Sequence, residues 1–133
     1  MSSLVRRFLK LLFRLGIYSK HYVIEYAGPI VSTNKFYASP HWSVRSKLKN
    51  KYIEIFTQLL LKNKINKFDE LSLVVFCNTR LDIDNHACQN KFLLDTIKLK
   101  YVDGDDTRYF ISTHTIHDPH MKKNTIEYHL LCR

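Results

Sequence analysis

The sequence is short of the residues that define several protein classes. Glycine and proline occur three times each among 133 residues. That excludes collagen-like chains and linker-rich chains. Cysteine also occurs three times, at Cys77, Cys88 and Cys132. The number is odd, the spacing is wide, and no CxxC is present. A disulfide framework and a zinc site are therefore disfavoured, and a cytoplasmic setting is expected. Long apolar runs are missing too. The N-terminal stretch MSSLVRRFLKLLFRLG is interrupted by Arg6, Arg7, Lys10 and Arg14. Its apolar runs fall far short of the ~20 residues of a membrane span, so neither a membrane segment nor a secretory leader is expected.

Acidic residues are scarce in one half only. Residues 1–67 hold 13 basic and 2 acidic side chains, net +11, whereas residues 68–133 hold 8 basic and 10 acidic, net −2. A basic half joined to a half that contains carboxylates suggests a polyanion, most simply nucleic acid, beside an acidic site. Hydrophobic residues make up 45% and charged residues 25%. That balance suits one globular domain able to bury its own core.

Residues 4–15 predict an amphipathic helix. Val5, Phe8, Leu9, Leu12 and Leu15 share a face, and the basic residues fall mostly opposite. It can be an arm for DNA or a membrane surface, or an accessory helix packed on the body or on a partner subunit. Packing is the expected role. Residues 22–27 read as a first strand, ended by Gly28-Pro29, and residues 30–41 as a loop or irregular strand. Residues 43–62 give the clearest helix, with apolar positions from Val44 to Leu60 at helical spacing, Pro40 ahead and Ser43 as the cap. Residues 71–77, LSLVVFC, read as a buried central strand. A second helix is expected over residues 85–100, then a strand over 108–116, a hairpin loop over 117–123 and a last strand over 125–131. The expected fold is α+β: a single small domain, a mixed β-sheet with two main helices on one face, and the short N-terminal amphipathic helix.

The acidic residues concentrate between positions 82 and 106. Asp82 and Asp84 flank Ile83, and an extended segment would point both carboxylates to one side. Asp105 and Asp106 follow one helix later. Clustered carboxylates resist ionisation together, and a hard divalent cation such as Mg²⁺, with Mn²⁺ as a substitute, relieves this. Asp84, Cys88, Lys91 and Asp95 recur at offsets of 0, 4, 7 and 11, one helical stripe, and Lys91 can meet Asp95. Plainer roles exist for each. Asp84 can cap the helix, Asp105 and Asp106 can be turn acids, and Lys91–Asp95 can be a surface ion pair.

The motif R-x-D-x-D-N (Arg80, Asp82, Asp84, Asn85), then K-x-x-x-D (Lys91, Asp95), then D-D (Asp105, Asp106) resembles the RusA-type Holliday junction resolvases. The resemblance spans about residues 22–131, including the opening strand and a loop with Asn34 and Tyr37. It divides the chain into an N-terminal extension, residues 1–21, and a RusA-like domain, residues 22–133. It implies a homodimeric, Mg²⁺-dependent endonuclease that resolves four-way or other branched DNA in recombination and repair. It further implies that Asp82, Asp84 and Asp106 are the metal-binding catalytic acids, that Lys91 assists, and that Asn85, Asp95 and Asp105 support them. The best-known members place the lysine four residues after the second aspartate of D-x-D-N; here it is seven. Lys35, Arg45, Lys47, Lys49 and Lys51 are the expected DNA-backbone contacts. A protein that keeps this fold and only binds DNA is the alternative.

The histidines of HTIHDPH (His114, His117 and His120, with Asp118) are expected to be solvated loop residues rather than a metal site. His86 either touches substrate or satisfies the helix start. Phe36, Tyr37 and Trp42 could stack on unpaired bases, but core packing is the expected role. A two-fold dimer is expected because a junction has two equivalent strands to cut. Helices on one face would also leave the other face of the sheet needing cover.

Overall fold

The structure is a computed structural model that describes residues 3–14, 18–38, 41–102 and 108–133. Its elements are α1 (Ser3–Arg14), β1 (Lys20–Ala27), α2 (Thr33–Ala38), α3 (Trp42–Lys62), β2 (Leu71–Asn78), α4 (Ala87–Lys100), β3 (Phe110–His117) and β4 (Thr125–Cys132), with a 3-10 turn at Ile83–His86 before α4. Asp105 and Asp106 lie outside the described residues.

The strands form one mixed sheet in the order β1-β4-β2-β3. β2 runs parallel to β3 and antiparallel to β4, and β4 runs antiparallel to β1. The segment LSLVVFC is buried at all seven positions, because β2 sits inside the sheet with layers on both faces. The expected hairpin over 117–123 is corrected by this order. β3 and β4 do not pair; they flank β2, and the chain between them passes over the end of that strand. The crossing is fixed by backbone bonds from Asp118 N to Cys77 O (2.9 Å) and from Asn124 N to Asn78 O (2.7 Å). Asn78 Nδ2 also donates to Met121 O at 2.6 Å. Local turn residues mark the reversal, but which strand receives the returning chain is a tertiary matter.

Helices α2, α3 and α4 contribute to the larger core on one face. Tyr52, Phe56 and Leu60 recur every four residues along α3, and all are buried. They meet Leu73, Val75, Tyr128 and Leu130 of the sheet and Phe92, Leu93 and Ile97 of α4. The Phe56 and Tyr128 rings contact edge to face at 5.5 Å. No Gly or Pro interrupts α3. The Nδ1 of His41, not Ser43, caps its start by accepting from Ser43 N at 3.2 Å. Its end is marked by Lys64, which takes a positive φ of 51°.

Residues 33–38 form a short helix rather than the loop or irregular strand expected there. Its start is tied locally: Lys35 N donates to Ser32 Oγ at 3.1 Å. Phe36 then packs on Phe92 of α4, with ring centroids 5.3 Å apart. Tyr37 and Trp42, expected in the core, are exposed instead, as is Val44.

The other face of the sheet is covered from within the chain. Leu9 of α1 is buried among Val74, Phe76 and Leu131, with Phe8 and Tyr18 beside them. Packing is therefore the observed role of α1, and it supplies the cover that this face was expected to need. Among the described residues, no helix is long and apolar enough to cross a membrane.

That second face also holds a polar chain. His129 is fully buried; its Nδ1 lies 2.8 Å from His21 Nε2 and its Nε2 lies 3.0 Å from Glu127 Oε2. Burial pushes the His129 pKa down, against the opposing pull of Glu127. Burial, then the neighbouring His129, lowers His21 to about 4. A base whose folded pKa is depressed adds stability above its unfolded pKa of ~6.5 and loses it as pH falls towards the folded value. We therefore expect the melting temperature to fall by about 5 °C or more between pH 7 and pH 4. His21→Gln should flatten that slope in a circular-dichroism melt series. An equal slope in His21→Gln and the unaltered chain would remove these histidines from the explanation.

Candidate active site

The acidic segment leaves β2 through residues 79–82 and enters α4 through the 3-10 turn. Asp82 is extended (φ −62°, ψ 152°), but Asp84 lies inside the turn. The expectation of an extended 82–84 segment with both carboxylates on one side is thus corrected. A strand alternates its side chains, whereas this turn rotates the chain by about a third of a revolution per residue. The backbone explains the change: Asn85 N donates to Asp82 O at 3.0 Å. Asp84 does not cap α4 either; His86 stands at that position and makes no side-chain cap bond.

The turn is held by α2. Thr33 Oγ1 donates to Asn85 O at 3.2 Å and accepts from Cys88 N at 3.1 Å. Asn85 Oδ1 accepts from Asn34 N at 3.3 Å. Asn85 thus ties the turn before α4 to the start of α2. His86 is fully buried, with Nε2 2.8 Å from Thr79 Oγ1. Burial lowers its pKa; it ties the helix start to Thr79 through Nε2, and its Nδ1 has no hydrogen-bond partner among the described residues. Behind the turn, Gln89 is buried. Its Oε1 accepts from Val31 N and its Nε2 donates to Tyr128 OH, both at 2.9 Å.

Between α4 and the outer strand β3 lies an open cleft of about 460 Å³. Asp84, Asn90, Lys91 and Asp95 line it on one side, Thr113 and Thr115 on the other. Three of the four positions expected on one stripe therefore share the cleft. Cys88, the fourth, is buried in the core, where burial raises its thiol pKa. The reason is angular: the stripe drifts around the helix, and the 3-10 turn shifts its first member. Asp82 does not line the cleft; it is exposed at the entry to the turn. Asp105 and Asp106, the other expected acids, lie outside the described residues.

Lys91 Nζ is 3.1 Å from Asp95 Oδ1, the expected i, i+4 pair. A second lysine was not expected there: Lys49 Nζ of α3 is 3.2 Å from Asp95 Oδ2. In the sequence Lys49 stands among the helix's other lysines, where a backbone contact is expected; only helix packing reveals its partner. Lys35, Lys47 and Lys51 are exposed and Arg45 is half-buried. Asn90 was also missed. It is buried, donates through Nδ2 to Thr115 Oγ1 at 3.0 Å, and leaves Oδ1 without a hydrogen-bond partner. A polar residue on the inward face of an apolar helix was its signal in the sequence.

The carboxylates of Asp82 and Asp84 are exposed and carry no hydrogen bond or ion pair among the described residues. Carboxylate oxygens are the donor type that suits Mg²⁺ or Mn²⁺, but Asp82 stands outside the cleft that Asp84 lines. No group of three or more His, Cys, Asp or Glu side chains among the described residues is arranged to hold a metal. His114, His117 and His120 are exposed, as expected, but His114 and His117 stand on strand β3 and only His120 lies in the loop. Asp118 is not solvated with them: it is buried, and its Oδ1 accepts from His120 N at 3.0 Å to stabilise the crossing loop.

These features define a small α+β domain with a mixed four-stranded sheet and a cleft at its outer strand, lined by Ile83, Ala87, Leu94 and Phe110 together with Asp84, Lys91 and Asp95. No family model and no curated protein matches the chain.

Proposed function

We propose that the protein is a RusA-like, structure-selective endodeoxyribonuclease that hydrolyses phosphodiesters in four-way or other branched DNA. The observation that carries this reading is the shared cleft. A carboxylate from the turn before α4 (Asp84) and a lysine two turns later (Lys91) face the same space, beside a helix rich in lysine. A simple DNA binder gains nothing from carboxylates at a phosphate site.

In this reading Asp84 in the cleft would hold Mg²⁺, for which Mn²⁺ substitutes, and Asp82 at the entry to the turn and Asp106 would complete the set that the resemblance implies. The ion, when bound, supplies an activated water and stabilises the leaving oxygen. Lys91 neutralises charge on the scissile phosphate, and Asp95 orients it. Asn85 holds the turn so that Asp84 faces the cleft. Lys35, Arg45, Lys47 and Lys51 bind DNA backbones without reading sequence. A two-fold homodimer provides one cleft for each of the two equivalent strands. Because α1 already covers the second sheet face, that dimer forms through another surface. A cytoplasmic protein of recombination or repair is the corresponding setting.

The test is incubation of the chain with a labelled four-way junction, a matched linear duplex and Mg²⁺. Cleavage of the junction alone supports the reading; no cleavage of any branched DNA, with binding intact, favours the non-catalytic alternative. Junction affinity should also fall steeply with salt, since each neutralised phosphate releases counterions. Lys47→Glu with Lys51→Glu should weaken junction and duplex alike by about tenfold or more and reduce the salt slope by about 2. A flat salt response in a filter-binding assay would move the DNA surface away from α3.

A further inference from the structure

We propose that Lys49, which reaches Asp95 from α3 without itself lining the cleft, forms with Lys91 a two-lysine clamp for a single phosphate group at the edge of that cleft. The inference rests on reading the cleft as a phosphodiester site.

Asp95 is the pivot. One of its carboxylate oxygens, Oδ1, accepts a hydrogen bond from Lys91 Nζ at 3.1 Å; the other, Oδ2, has no hydrogen-bond partner among the described residues and lies 3.2 Å from Lys49 Nζ, an ion pair by distance alone. Two ammonium groups from different helices thus flank one carboxylate, leaving a local charge of +1. The three groups differ in exposure: the Asp95 side chain is 18% accessible, Lys49 43% and Lys91 64%. The anion is the sheltered member and the cations face outwards. A structural bridge between α3 and α4 needs only one of these pairs, and exposed pairs contribute little stability. Each ammonium has three N–H donors; Lys91 gives one of them to Asp95 and Lys49 lies beside Asp95 without a hydrogen bond to it, so both keep donors for another acceptor. A phosphate offers several oxygens to both.

Lys91 and Asp95 also line the cleft that contains Asp84. The clamp therefore stands on the side of that cleft away from the turn, with Asp84 at the other end of the lysine stripe. A phosphodiester held by Lys49 and Lys91 would lie alongside Asp84. Lys49 is then a phosphate-binding residue, while Asp95 is a positioning residue that keeps both ammonium groups in place.

The experiment uses the full chain and side-chain NMR of its lysines. In one arm it is titrated with a dinucleoside monophosphate, thymidylyl-thymidine, and in another with inorganic phosphate. Both the Lys49 and Lys91 ammonium signals should move together, with one shared affinity. Lys49→Met should weaken dinucleotide binding at least tenfold, and Lys49→Arg should restore most of it. Lys122→Met, which removes one exposed charge far along the chain, should stay within twofold. Equal response to inorganic phosphate would identify a general phosphate clamp; response to the dinucleotide alone would identify a nucleic-acid strand as the ligand. Either supports the clamp. Lys49→Met binding within twofold of the unaltered chain, or movement of Lys91 alone, overturns it. If the lysines respond but no branched DNA is cut, the nuclease reading fails and the clamp stands. If junctions are cut at full rate by Lys49→Met, the reverse holds.

Discussion

Asp84→Asn should reduce junction cleavage by about a hundredfold or more while leaving junction binding intact. The loss follows from chemistry: an amide is a poor ligand for a hard divalent cation, and the metal's role in activating water has no substitute among the cleft side chains. The retained binding follows from electrostatics. Asp84 lies next to the expected phosphate position, so its neutralisation removes repulsion and should strengthen binding if it changes it at all. Asp82→Asn and Asp106→Asn should act in the same direction. Asp95→Asn should cost less, because it loosens two lysines without removing a metal ligand. Single-turnover cleavage of a labelled four-way junction, paired with a gel-shift titration, separates these effects. Full-rate cleavage by Asp84→Asn would reject the site.

Gln89→Ala should destabilise the fold by about 3 kcal/mol, roughly the cost of leaving two buried polar groups without their partner. Gln89 is fully buried and bonds at both ends, accepting from Val31 N and donating to Tyr128 OH. It thereby connects the loop after β1, helix α4 and strand β4. Truncation orphans the Val31 N–H, strips Tyr128 of a partner and opens a cavity beneath the turn that carries Asp84. A domain of this size has only about 5–15 kcal/mol in total, so the variant should show a large drop in urea midpoint at unchanged m. A loss below about 1 kcal/mol would mean that water or a neighbouring group replaces the side chain. Weakened cleavage in the variant, measured well below its melting temperature, would show that this scaffold also sets the turn.

The two predictions mark where sequence reasoning succeeds and where it stops. The local code determined most elements. The spacing of Tyr52, Phe56 and Leu60 specified α3, and the unbroken apolar run of β2 placed it inside the sheet before any contact was known. The four-residue step from Lys91 to Asp95 specified their ion pair. Each of these depends on a period within one element, and such periods are written in consecutive residues.

The tertiary structure decided what no period encodes. It placed β4 between β1 and β2, turning an apparent hairpin into a crossing, because strand partners are chosen by burial across the whole sheet. It rolled Asp84 into a 3-10 turn through bonds from Thr33 and Asn34, about fifty residues earlier in the chain. It brought Lys49 to Asp95 across two packed helices, and it laid α1 over the face of the sheet that had been expected to need a partner. The sequence alone determined which residues carry charge and which helix carries them. Which charges meet was decided by packing, since a contact between distant segments forms only where the core fixes the distance between them.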